Sequence, residues 1–332
     1  MAFAFKARPR NSWIANSQRG VVSLRIFFSE ETDRDFIRWV SNLLRTFLLE
    51  GRITIVGQNA QPDLMIASIW RRHRFPRGLP VVLVSNENWK VFKPHAPLHR
   101  YHAVVGLYPP AEPCTFIEYP LAAVHFGVPV EELYTLREEL LAVSKTGFCC
   151  FVVSKRHRSK KHGNLAAERI ALFEQINAWK RVDSAGAVCN NVGYRAPRGT
   201  DFLRWIAKYK YMICLENSHE PGYITEKPFQ AWFAGTVPIY HGACIERLNG
   251  ESIIPIRRGD VICELERLES SHAAYETRRR ADLTGSRLSL IAFEQQFRKL
   301  ILDTIPARQH RGSTEQAGWL KSALARLFPG PE

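Results

Sequence analysis

The stretch LENSHEPGYITEKPFQAWFAGTVPIYHG, Leu215 to Gly242, gathers Glu216, Asn217, Glu220, Tyr223, Glu226 and Lys227 into one short segment. Tyr211 to Leu215 reads as the end of a buried strand, so Glu216 and Asn217 emerge at its carboxyl edge. The turn Glu220-Pro221-Gly222 reverses the chain, and Thr225 is placed to cap a helix that begins with Glu226 and Lys227. Backbone N–H groups at a helix start attract phosphate, and a lysine there adds a full charge. A lysine in a first turn opposes the helix dipole, so it needs a reason other than helix stability. The plain alternative is a solvated acidic turn.

A partner for such a pocket must come from another strand end of the same sheet. FCCFVVS is followed by a basic loop carrying Lys155, Arg156, Arg158, Lys160 and Lys161, and then by Arg169 within a helix. The loop charges also suit a merely solvated face. Arg169 differs, because it sits among Ala166, Ala167, Ile170 and Ala171 and can be held in place to fork two phosphate oxygens. In the first half, LPVVLVSNENWKVF puts Glu87 just past a strand, where a carboxylate could take a proton from a hydroxyl across a cleft. By itself a Glu after a strand is an ordinary loop residue.

These residues require strands to present them. Val21 to Phe28 is a β-rich run, and SEETDRDFIRWVSNLLRTFLLEG has the 3.6-residue apolar spacing of a helix, at Phe36, Val40, Leu43, Leu44 and Phe47. RITIVG, LMIASIW, LPVVLVS, HAVVGLY and CTFIEYP follow as short strands. A second series starts at Phe148 and alternates strand and helix through TVPIYHG. Strands alternating with connectors of this length indicate parallel, doubly wound sheets. Two such series give two α/β domains facing across a cleft, with the seam between Pro129 and Gly147. The expected division is 1–145, 146–310 and an amphipathic tail at 311–332. Leu290, Phe293, Phe297 and Leu300 form one helical stripe. The tail packs on the protein's own surface or lies on a membrane surface.

The chain has 332 residues, 46 Lys and Arg against 32 Asp and Glu, and a formal charge of +14. Its 45% apolar share is that of a folded protein, and the excess charge favours anionic partners. The seven cysteines show no ligand spacing, and most sit in apolar runs, as reduced thiols of a cytosolic protein do. No apolar stretch approaches the roughly 20 residues that span a bilayer.

LENSHEPGYITEK…GTVPIYHG, preceded by FCCFVVS, the helical Arg169 and KRVDSAGAVCNNVG, resembles the α1,3-fucosyltransferase family, particularly its bacterial cytosolic branch. LVSNEN resembles the family's first-domain Gly-Glu-Asn more loosely. The resemblance implies a GT-B fold of two Rossmann-like domains, an acceptor-side domain and a GDP-sugar-binding one. It implies inverting transfer of L-fucose from GDP-fucose to a glycan or lipid-linked saccharide, with α1,3-type linkage, without cofactor or metal, in lipopolysaccharide-type glycan synthesis. Arg169 and Lys227 then bind the pyrophosphate, and Asn217, Tyr223, Glu226 and Ser154 line the donor pocket. Glu87 is the catalytic base. The location implied is cytoplasmic, on the inner membrane face if the tail attaches there. Leu215, Pro228, Gln230 and His241 depart from the family pattern, and the last two bear on which sugar is held. No Asp-x-Asp is expected anywhere in the chain, in keeping with transfer without a metal. A different GDP-sugar is the nearest alternative.

A retaining enzyme would carry glutamates eight apart on the donor side, and these are spaced otherwise. A nucleic-acid binder would interleave aromatics with the Lys155–Lys161 run, which has none. No GxGxxG follows either leading strand.

Overall fold

The computed structural model describes residues 24–29, 37, 53–57, 61–69, 72–85, 87, 89, 93–118, 126, 128–154, 166–256, 261–284 and 290–303. The helix expected after Phe28 lies largely outside the described residues, though Ile37 is helical; the Lys155–Lys161 run and the 311–332 tail lie outside them altogether.

Each short apolar run of the first half becomes a strand: β1 (Leu24–Phe28), β2 (Ile53–Ile55), β3 (Leu64–Ser68), β4 (Val81–Ser85), β5 (Ala103–Gly106) and β6 (Phe116–Glu118). They form one six-stranded sheet in the order β2-β1-β3-β4-β5-β6, parallel throughout. β4, VVLVS, is buried at every position, as a strand covered on both faces must be. The second half repeats the plan with β7 (Gly147–Phe151), β8 (Val182–Ser184), β9 (Tyr209–Leu215), β10 (Val237–His241) and β11 (Ile254–Pro255). This parallel sheet runs β11-β10-β9-β7-β8.

Both strand orders reverse once. The chain goes from β1 to β2 on one side and returns to β3 on the other; it goes from β7 to β8 and returns to β9. Crevices open at the carboxyl ends of strands where such a reversal occurs, because the flanking connections leave in opposite directions. The two crevices are therefore at β1/β3 and at β7/β9.

The seam expected between Pro129 and Gly147 is mostly helix, α1 (Val130–Leu141), whose Val130, Leu133, Leu136, Leu140 and Leu141 are buried. The remaining helices described are α2 (Ala166–Trp179), α3 (Thr200–Ile206), α4 (Glu226–Phe233), α5 (Val261–Ser270), α6 (His272–Arg280) and α7 (Leu290–Asp303). α1 packs on α4 and α7. Buried Arg137 of α1 donates to the carbonyls of Trp232 and Arg279 and lies over the Trp232 ring at 3.8 Å. Leu290, Phe293 and Phe297 form the buried stripe of α7, which also reaches the β6 edge of the first sheet.

The carboxyl edges of the two sheets face each other. Past β5, Tyr108 accepts the Trp89 indole N–H at its carbonyl (2.8 Å), and its hydroxyl accepts the Trp89 backbone N–H. Gly222, after β9, presses on Tyr108 so closely that a Cβ there would sit 2.3 Å from the tyrosine Cβ, and its φ of +84° also suits glycine. Arg247 donates to Glu118 at the end of β6.

Candidate active site

A cavity of about 660 Å³ opens at the β7/β9 crevice. Ser154 comes from the end of β7, Arg169 from α2, and Glu226, Lys227 and Gln230 from α4. Gly186, past β8, forms part of its wall; a Cβ there would meet the Val153 backbone at 2.3 Å, so a side chain would push the wall apart. The crevice thus brings Arg169 and Lys227, 58 positions apart in the chain, to one space.

Arg169 is 4% exposed and is fixed by Nη1 donating to Asn217 Oδ1 at 2.7 Å. Burial lowers its pKa, opposed by the charges of Glu216 and Tyr223. The side chain is held in place as its setting suggested, and Asn217 is what aims it. Lys227 Nζ donates to Thr225 Oγ1 at 2.8 Å and Glu226 Oε1 at 3.2 Å, and lies 3.5 Å from Glu216 Oε2. Burial works against its charge, but Glu226 and Glu216 outweigh burial and leave its pKa raised. Each cation also feels the other, since Arg169 acts to lower the lysine pKa.

Glu216 is the residue that sequence reasoning passed over. It is wholly buried and collects the Thr225 N–H (2.8 Å), the Thr225 hydroxyl (2.6 Å) and the Tyr240 hydroxyl (3.3 Å). Burial raises its pKa, while Lys227 and the Thr225 bonds hold it down. No local signal marks it: a carboxylate at a strand end is ordinarily solvated, and only its partners show that this one is buried. Thr225 needs a correction. It occupies the N-cap position of α4, yet its side chain makes no cap bond. Its hydroxyl donates to Glu216 and its oxygen accepts from Lys227 Nζ at 2.8 Å, so the acceptor that would cap the helix is taken by the ammonium.

Tyr223 is 2% exposed, and its hydroxyl pKa is raised by burial first and then by Glu87, Glu216 and Glu226. Glu87 stands half-buried past β4, on the first-domain side of the cleft, and its charge is one of those that act on the Tyr223 hydroxyl. Asn217, Tyr223 and Glu87 are not among the residues that line the cavity, although Asn217 holds Arg169, which does.

Arg195 and Arg198 also line the cavity and were not anticipated. They lie on the loop after β8, a third strand end of the same sheet, and only the β7 and β9 ends had been considered. Gln230, which departs from the family pattern, is 8% exposed in the cavity wall. His241, the other departure, instead faces Glu168 at 3.6 Å and stacks near His219. One Asp-x-Asp does occur in the chain, Asp33-Arg34-Asp35, against the expectation of none; it follows β1, far in sequence from this crevice and outside the described residues. No group of three or more metal-ligating side chains gathers among the described residues. All seven cysteines are unpaired. No helix among the described residues is long and apolar enough to cross a membrane.

Residues 142–274 match the family model for the C-terminal domain of glycosyltransferase family 10 (fucosyltransferase). The α-(1,3)-fucosyltransferase FucT of Helicobacter pylori is 35% identical over 99 residues, which are 30% of this chain and 18% of that protein. The α-(1,3)-fucosyltransferase 4 of Rattus norvegicus is 32% identical over 119 residues, 36% of this chain and 24% of that one. The chain thus spans a quarter or less of these relatives' lengths. A crystal structure of an α1,3-fucosyltransferase with GDP-fucose superposes with a TM-score of 0.59 at 20% identity, covering 86% of this chain and 93% of that one. The architecture is that of GT-B, with two parallel α/β sheets opposed across a cleft.

Proposed function

We propose that this chain, whose residues 142–274 carry the family 10 fucosyltransferase domain, transfers L-fucose from GDP-fucose to a hydroxyl of a glycan acceptor, inverting the anomeric centre and using no metal. The observation that carries the reading is the meeting of Arg169 and Lys227 at one switch-point cavity, with carboxylates behind them. The similarity to proteins named as fucosyltransferases supports the choice of donor.

Inverting transfer is an in-line displacement, so an acceptor hydroxyl must lose its proton on one face of the sugar while GDP leaves from the other. Glu87 takes that proton from the first-domain side. Negative charge grows on the β-phosphate as the bond breaks, and Arg169 and Lys227 stabilise it more in the transition state than before it. Asn217 keeps the guanidinium aimed. Glu226 releases Lys227 to the phosphate and turns to a donor hydroxyl, with Tyr223 and Ser154 completing the pocket. The Trp89–Tyr108–Gly222 contact closes the cleft and limits hydrolysis of the donor by water. We assign an α1,3-type linkage, and the acceptor to cytoplasmic glycan assembly of the lipopolysaccharide kind.

The test is a screen of GDP- and UDP-sugars for protection against thermal unfolding, followed by transfer assays. GDP-fucose protects and UDP-sugars do not. Glu87→Gln keeps the protection and loses transfer by about 100-fold or more; Arg169→Ala loses both. Protection by a different GDP-sugar would transfer the reading to that donor, with Gln230 as the residue to exchange. Undiminished transfer by Glu87→Gln places the base elsewhere.

A further inference from the structure

The first sheet has its own switch point, and it is not empty space. A cavity of about 290 Å³ lies at the carboxyl ends of β1 and β3, lined by Phe27, Ser29, Met65, Arg72, His73, Arg74 and Pro76. Between Asp63 and Glu87 the sequence holds Arg71, Arg72, His73, Arg74 and Arg77 and no acidic residue. Arg72, Arg74 and Arg77 are exposed, and none has an ion pair among the described residues. The loop is nevertheless anchored. Phe75 packs on His73 and Tyr101 with ring centroids 5.0 Å away in each case, and Arg100 covers the Phe75 face at 4.2 Å. Ser29 Oγ accepts the Ser68 N–H, tying the two strand ends together beneath the arginines.

Position gives the cavity its meaning. β3 lies directly beside β4, which delivers Glu87, and neighbouring strands are about 4.8 Å apart. The arginines therefore stand one to two strands from the base, along the edge that faces the second domain. An acceptor whose hydroxyl reaches Glu87 extends its adjoining part over them.

We infer that the β1/β3 cavity is an acceptor subsite for a negatively charged group, a carboxylate or a phosphate, carried next to the accepting hydroxyl. This rests on the transferase reading, with the acceptor bound on the first domain. Two exposed guanidinium groups over a shallow cavity recognise a planar carboxylate or a phosphate by paired N–H donors, whereas a neutral sugar needs no such density of charge. The acidic run Glu30–Asp35 follows β1 in the sequence and lies outside the described residues.

The experiment uses the full chain saturated with GDP, and galactose, galacturonate and galactose 6-phosphate as probes, read by thermal shift and titration. At least one anion binds about tenfold more tightly than galactose and weakens as salt rises. Galacturonate alone identifies a carboxylate, the 6-phosphate alone a phosphate, and both a site that reads charge. Arg72→Gln/Arg74→Gln abolishes the difference while GDP-fucose still protects the variant as it does the wild type. The inference is overturned if neither anion exceeds galactose, or if the double variant keeps the preference. It is overturned equally if that variant is destabilised without any anion, for then the arginines serve an internal partner. Loss of GDP-fucose protection in the wild type would instead strike the transferase reading.

Discussion

Lys227→Met separates what the lysine does for the fold from what it does for the diphosphate. Glu216 beneath it is wholly buried, and its carboxylate is met by three neutral donors and one cation 3.5 Å away. Removing one member of a buried ion pair costs about 3–5 kcal/mol, because the other is left charged and out of water. The three neutral donors survive the substitution, and hydrogen bonds to a charged group are the stronger kind, so the low end applies: about 3 kcal/mol. The cost must depend on pH. Burial already raises the folded pKa of Glu216, and without Lys227 it rises further. A carboxyl with a raised folded pKa contributes stability at low pH that is lost as pH climbs through that value. The variant should therefore approach wild type near pH 5 and fall furthest behind near pH 8.

Urea denaturation at both pH values measures this, and the double variant Lys227→Met/Glu216→Gln completes the cycle. The amide that replaces the Glu216 carboxylate removes the buried charge and can donate to Thr225 Oγ1 where Lys227 did, so stability near pH 8 should return to within about 1 kcal/mol of wild type. GDP binding should not return, since the cation facing the phosphates is still missing. A single variant as stable as wild type near pH 8, or equally destabilised at both pH values, would refute the electrostatic account. A double variant that binds GDP normally would remove Lys227 from the phosphate site.

Two other perturbations test the frame around the site. Glu294 of α7 is 1% exposed, its Oε1 accepts the Val130 N–H at the start of α1 at 3.0 Å, and its pKa is pushed up to about 8 by burial and then by Glu131. Its stabilising contribution is therefore full below its ordinary value and lost as pH rises to about 8, so Glu294→Gln should flatten the wild-type fall in stability across that window, a difference on the order of 4 kcal/mol at the upper end. Lys145, lowered to about 7 chiefly by burial, acts with the opposite sign and in a higher window, gaining stability from about 7 upward, so the two are distinguishable in one pH series. Gly222→Ala meets both a positive φ and the Tyr108 Cβ at 2.3 Å; it should cost at least about 1–2 kcal/mol in thermal melting and reduce transfer more than donor binding. Wild-type transfer by that variant would show that the Tyr108 contact does not close the cleft.

The legible and illegible parts of this protein divide along a physical line. Strands such as VVLVS and YMICL are buried on both faces, so their apolar runs mark them wherever the chain is cut, and the parallel order follows from the connector lengths between them. Arg169 and Lys227 were legible because each breaks a local rule: an arginine amid alanines and a lysine in a first helical turn; Asn217 came only from the family resemblance. Arg195 and Arg198 break none. They are arginines in a Pro- and Gly-containing loop, ordinary until β8 is known to lie beside β7. The same holds for α1, whose Arg137 hides among Leu133, Leu136 and Leu140; a buried arginine that satisfies the carbonyls of Trp232 and Arg279 has no local signature. Glu216 fails differently. Its type was seen and its burial was not, because a carboxylate at a strand end is assigned to solvent by default. Only the convergence of Thr225 and Lys227 at the start of α4 with Tyr240 of β10 makes that burial tolerable, and the convergence is tertiary although all three lie in one stretch of sequence. Local exceptions therefore pointed to the donor side, where strand ends and helix starts concentrate them. On the acceptor side the exception is the excess of arginine after β3, which gains significance only once β1 and β3 are known to flank a switch point. The charge that composition gives as a single number is in fact partitioned. At the donor cavity Arg169 and Lys227 stand against Glu216 and Glu226, while exposed Arg195 and Arg198 in its lining, like Arg72 and Arg74 at the acceptor edge, carry no ion pair among the described residues. Salt should consequently weaken both donor and acceptor binding, and the part of that sensitivity that changes with the charge on the acceptor should be the part lost in Arg72→Gln/Arg74→Gln.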